Sequence, residues 1–162
     1  MLRKPRPHRD PLGARILSLR VEGDLAVAPG PTRADVLARL RRIAAEAVIL
    51  QDEAVVLLGD IRAREPLREL APRGGRIVSR FVALAGALPV TREPDLKAVV
   101  ERLRCILDHH AMLVASSLDL LAVDWRSERM VEQLERLDGL GPPAAWLEAI
   151  RAQIEDAYAA VA

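Results

Sequence analysis

From Val36 to Ile61 apolar residues recur at alternating steps of four and three: Val36, Leu40, Ile43, Ala47, Leu50, Ala54, Leu57 and Ile61. That spacing keeps one stripe of a helix apolar for more than three heptads, the pattern of a helix that seats against other helices along its whole length. Thr32 stands where an N-cap belongs, and Asp35, three residues on, can answer it in a capping box. The spacing therefore predicts a helix over about 33–64, ended by Pro66. Between Ala47 and Leu58 this helix is apolar nearly all round, because Val48, Ile49, Val55 and Val56 fall outside the seam. A helix apolar on every face is one that is covered on every face.

What can cover it is narrowed by composition. The chain has 162 residues, enough for one domain with a sizeable core. Only four residues are aromatic, Phe81, Trp125, Trp146 and Tyr158, so the core must be aliphatic. Abundant Ala, Leu and Arg, with no Asn, favour helix over sheet. A single cysteine, Cys105, excludes an internal disulfide framework and a cysteine-rich zinc module. The excess of 22 Arg over 2 Lys is the bias expected of a GC-rich, bacterial genome, and carries no expectation about function.

Further helices are expected over about 75–88, 93–122, 126–138 and 143–160. Pro66, Pro89 and the run Gly139-Leu-Gly141-Pro-Pro143 end or separate them, and Thr91 is placed to cap the third. Leu67–Pro72 reads as a connector, with Gly74-Gly75 as punctuation. Short connections imply antiparallel neighbours. Residues 1–31 differ in kind: a basic, proline-rich arm is followed by alternating Leu17, Leu19 and Val21, the period of a strand, with Gly23-Asp24 as a turn. The predicted fold is all-α: a bundle of four to five largely antiparallel helices over 32–162, preceded by a basic arm and a small β-hairpin within 1–31.

The charge is split. Residues 1–90 carry 16 basic and 10 acidic side chains, residues 91–162 carry 8 and 13. Such a division suits an anionic partner at one end, or attraction between the halves. No run approaches the ~20 apolar residues of a membrane span, and no apolar leader follows the basic start. The expectation is a cytoplasmic protein without a membrane partner.

Helix 3 holds the residues that invite chemistry. His109 and His110 point about 100° apart and cannot converge on one metal, so no metal site and no cofactor are expected. His110 falls on the apolar stripe, where it needs a partner such as Ser117. Cys105 has His109 one turn away, but Glu101 and Asp108 oppose a thiolate on that side. Glu46, Glu53 and Asp60 recur every seven residues; Arg73 and Arg80 would meet Asp60 and Glu53 in an antiparallel hairpin, as register-setting pairs.

The run Arg104-Cys-Ile-Leu-Asp-His109 resembles the Arg-x4-His signature of the HEPN superfamily, small all-α ribonucleases and conflict-system proteins. The resemblance spans six residues. It implies that Arg104 and His109 would act together in RNA cleavage at a dimer interface. Read from the residues alone, Arg104 pairs with Asp108 at helical spacing. Arg39, Arg41, Arg42, Arg73, Arg76 and Arg80 could instead contact phosphates, making the chain a nucleic-acid-associated subunit. There is no phosphate-binding glycine loop and no nucleophile elbow.

The reading that these features favour is a non-enzymatic interaction protein, an adaptor, structural subunit or regulator. It would bind a protein partner or itself through Val48, Ile49, Val55 and Val56 of helix 1. Because the prolines and charges of residues 1–11 bury nothing, deleting them should leave the melting temperature within about 2 °C. A fall near 10 °C in a thermal melt would show the arm to be docked.

Overall fold

Thr32 and Asp35 start the first helix as a complete capping box: the Asp35 amide donates to Thr32 Oγ1 at 3.2 Å, and the Thr32 amide donates to Asp35 Oδ2 at 3.0 Å. The Thr32 hydroxyl also donates to that carboxylate, which holds Asp35 below the usual carboxylate range. A computed structural model describes residues 30–122, 128–136 and 139–161. Within them lie five α-helices and no strand: α1 Arg33–Arg62, α2 Leu67–Gly86, α3 Pro94–Ala122, α4 Glu128–Glu135 and α5 Pro142–Ala159. The fold is an all-α bundle. The basic arm, and the hairpin expected within 1–31, lie outside the described residues.

Helix α1 ends two residues earlier than its periodicity suggested. Arg64 takes a left-handed φ of 63°, and the Glu65 and Arg64 amides donate to the Asp60 and Ile61 carbonyls at 3.1 and 3.0 Å. That is the Schellman arrangement, which closes the orphan carbonyls of the last turn. Pro66 then starts α2 directly.

The segment Leu67–Pro72 is not a connector and Gly74-Gly75 is no break; both lie inside α2. Proline and glycine count as helix breakers because each costs the isolated helix stability. Tertiary packing overrides that cost. Leu70 is fully buried and anchors the first turn, while Pro72 falls on the exposed side. Gly74 is buried against Leu118 of α3, so closely that an added Cβ would collide with that leucine's side chain. The glycine permits close approach of two helices instead of ending one.

Ion pairs show the helix directions. Asp60 meets Arg73 at 2.8 Å and Glu53 meets Arg80 at 2.8 Å, so α1 and α2 are antiparallel in the register expected from the sequence. Gly74 against Leu118 and Phe81 against His110 make α2 and α3 antiparallel too. Arg33 bridges to Glu93, and to Asp95 at 2.7 Å, joining the starts of α1 and α3. Arg41 reaches Glu155 at 2.7 Å and lies over the Tyr158 ring at 5.1 Å, while Val55, further along α1, lies beside Gly139 just before α5, so α5 runs antiparallel to α1. The split of charge between the two halves of the chain is thus matched within the chain, by Arg33, Arg41 and, at 3.7 Å, Arg64 with Glu135. These pairs are exposed, so they specify register more than they stabilise it.

One aliphatic core runs between α1, α2, α3 and α5, with Phe81 as its buried aromatic ring. Helix α1 touches every other helix. Before α3, Thr91 Oγ1 accepts the Glu93 amide at 3.2 Å, and Pro94 opens the helix.

The contact at Gly74 gives a test by mutant cycle. Gly74→Ala gains roughly 1 kcal/mol of helix preference but incurs about 1–3 kcal/mol of overpacking. It should therefore lose about 1 kcal/mol in urea melts. In a Leu118→Ala background the same change should stabilise by up to about 1 kcal/mol. Additive effects would mean that the two residues do not touch.

Candidate functional site

The outer face of α1 was the face that the sequence singled out. Ile49 and Val56 lie one heptad apart, opposite the seam, and are 60% and 58% exposed. The other two residues proposed with them behave differently. Val48 is half-buried and packs against the core. Val55, 42% exposed, lies beside Gly139 in the α4–α5 connection. The difference follows from helix geometry, since Val48 and Val55 sit about 100° round from Ile49 and Val56, on the α5 flank. The open apolar surface is thus Ile49 and Val56.

Its borders are charged. On the α2 side a shallow depression is lined by Val56, Ile77, Arg73, Arg76 and Arg80. Arg73 and Arg80 are engaged by Asp60 and Glu53, whereas Arg76 makes no ion pair among the described residues. Arg42 is likewise exposed on that edge, and Asp52 stands exposed on the other.

This changes the reading of the six arginines. Arg41 is neutralised by Glu155, Arg73 by Asp60 and Arg80 by Glu53. Arg41 also lies on the α5 flank, away from the arginines of α2. Arg39, Arg42 and Arg76 are left to face solvent, and the six do not form one continuous basic surface.

His110 is fully buried against Phe81, with ring centroids 5.4 Å apart. The partner expected in Ser117 is not made: Ser117 Oγ donates to the Leu113 carbonyl one turn back at 2.8 Å. Both His110 ring nitrogens are without a hydrogen-bond partner. Desolvation, with a smaller contribution from neighbouring His109, lowers its pKa from 6.5 to about 4. Among the described residues no three His, Cys, Asp or Glu side chains gather as a metal site.

Arg104 and His109 do not converge. Helix α3 is continuous through them, and positions five apart diverge by about 140°. His109 lines a cleft that Arg104 does not reach. Arg104 is exposed and forms no ion pair with Asp108 either, a pairing that spacing alone allowed.

That cleft was missed by sequence reasoning. It has a volume of about 790 Å³ and lies between α3 and the connection into α5. Ile106, Leu113, Leu140, Pro143 and Trp146 supply apolar walls; Arg102, Cys105, His109 and Arg136 supply the polar groups. The expected neighbours of Cys105 were Glu101 and Asp108, but neither lines the cleft. Gly139 and Gly141 have φ of 59° and 66°, values that let the connection fold back and bury Leu140 between them. Nothing in the period of α3 signals this surface, because its far wall comes from residues some 30 positions away.

Helix α3 is also long and apolar enough, by length and composition alone, to cross a membrane. The core helix of a bundle meets the same criterion, and Leu103, Leu107 and Val114 are fully buried here. Compared with known proteins, the chain matches no family model, no curated protein and no solved structure.

The buried imidazole makes stability depend on pH. Its folded pKa lies below the unfolded value, so the unfolded chain binds the extra proton between pH 6.5 and about 4. Stability should be complete above pH 6.5 and fall as the pH drops through that window, by about 3 kcal/mol. His110→Leu should remove this slope in thermal melts and be neutral or stabilising at pH 7. An unchanged slope in the variant would place the titration elsewhere.

Proposed function

We propose that this protein is a non-enzymatic interaction module, an adaptor, structural subunit or regulator, that docks a protein partner on the outer face of α1. One observation carries the reading: Ile49 and Val56, large and apolar, stand open to solvent on the helix that otherwise organises the core. A surface position on a bundle helix is ordinarily polar, and an apolar pair at heptad spacing is what the seam of a second helix seats upon.

The partner is a helix of another protein, with an apolar stripe and an acidic edge. Arg76 and Arg42 border the α2 side and make no ion pair among the described residues, so an acidic edge would pair with them. A second copy of the chain fits less well. Two α1 helices crossing antiparallel about Ile49 and Val56 would bring Asp52 towards its own symmetry mate, which is unfavourable for like charges.

The test is a comparison of variants. Ile49→Glu with Val56→Glu should keep the helical circular dichroism and melting temperature, since neither side chain belongs to the core. A protein retained by the wild-type chain should be lost by this double variant and weakened by Arg76→Glu. Equal retention by all three overturns the reading. A fall in molecular mass of the double variant on gel filtration would assign the face to a second copy.

A further inference from the structure

We propose that the cleft between α3 and the α4–α5 connection binds a long-chain carboxylate, with the alkyl chain on its apolar walls and the head group at one of its lining guanidinium groups, Arg102 or Arg136. The volume of about 790 Å³ lies within the ~300–1,000 Å³ typical of small-ligand sites. The walls exclude most other ligand chemistries. Among the described residues, no Asn, Gln, Ser, Thr, Asp or Glu side chain lines the cleft. A sugar or nucleobase, which carries many donors and acceptors, would leave them unmatched there, at a cost for each. Among the described lining residues a cation would meet only like charge. An alkyl chain asks for nothing beyond the contact that Ile106, Leu113, Leu140 and Trp146 supply.

Charge picks the head group. Arg102 makes no ion pair among the described residues, and Arg136 holds only a loose surface contact with Glu132 at 3.8 Å. Arg102 and Arg136 both line the cleft, and either guanidinium suits an anionic head group bound through paired N–H donors, with half-buried His109 on the same lining. The start of α5 at the same wall adds the positive end of a helix dipole. The wall itself is preset: Leu140 is buried, and Pro142 and Pro143 fix the backbone of the first turn. A preset wall lowers the ordering cost of binding.

The cleft carries its own reporters. Cys105 is the chain's one cysteine and is exposed at the lining. Trp146 is 54% exposed in the same wall. Dodecanoate below its micelle concentration is the probe, with dodecanol and dodecyltrimethylammonium as uncharged and cationic controls, in the full chain carrying Trp125→Phe.

Dodecanoate should change Trp146 fluorescence saturably at one site per chain and slow maleimide modification of Cys105 by roughly tenfold or more. Dodecanol should bind about tenfold more weakly, which corresponds to about 1.4 kcal/mol. Arg102→Gln with Arg136→Gln, both on exposed positions, should abolish that preference and leave dodecanol binding intact. Leu113→Gln should weaken both. The Ile49→Glu, Val56→Glu chain should bind dodecanoate unchanged, so this inference stands or falls apart from the docking face. Unprotected Cys105 at saturating dodecanoate, binding without saturation, or equal affinity for the three amphiphiles would overturn it.

Discussion

Everything in this molecule is arranged around the burial of one side of α1. Leu40, Leu50, Ala54, Leu57 and Ile61 are sealed from solvent, and α2, α3 and α5 are placed by the need to cover them. Burial of apolar surface is strong but has no direction. Direction comes from charges at the edges of the seam. The Asp60–Arg73 and Glu53–Arg80 pairs fix α2 in register, and Arg33 and Arg41 tie α1 to α3 and α5. Each pair contributes little energy, but a slip of one turn would break both α1–α2 pairs and leave Arg80 facing Ile49 or Val56.

With almost no aromatic residues, the core must gain contact by bringing backbones together. Gly74 does this where α2 crosses Leu118, and the small residues Ala44, Ala47 and Ala54 do it along α1. Close packing of this kind is intolerant of added volume. It also explains the oddity of His110, a fully buried imidazole beside Phe81 with neither nitrogen bonded. The ring fills a space that an aliphatic side chain fills elsewhere in the seam, and it does so as the neutral form.

Two surfaces are then left over, and they have different origins. Ile49 and Val56 are exposed because the neighbouring helices cover the seam side of α1 and leave its outer face open within Ala47–Leu58, the stretch that is apolar nearly all round. The cleft exists because the connection into α5 arches over α3 without filling the space beneath it. The two meet at that connection: Gly139 lines the cleft and lies against Val55 on the flank of α1.

The sequence alone determined whatever depends on spacing within one helix. The seam, the Thr32–Asp35 capping box, the burial of His110 and the facing carboxylate and arginine rows follow from 3.6 residues per turn and one antiparallel neighbour. So does the outward position of Ile49 and Val56. Tertiary structure decided the rest. Leu67–Gly75 became helix because burial of Leu70 and Gly74 outweighs the local preferences of Pro and Gly. Val48 was packed against the core and Val55 set beside Gly139 of the α4–α5 connection, and Ser117 was drawn to its own backbone rather than to His110. Arg102, Cys105 and His109 gained a shared setting only when Leu140 and Trp146 were brought against them. A helix face has a period that can be read along the chain; a cleft between distant segments has none, because it is made by the packing itself.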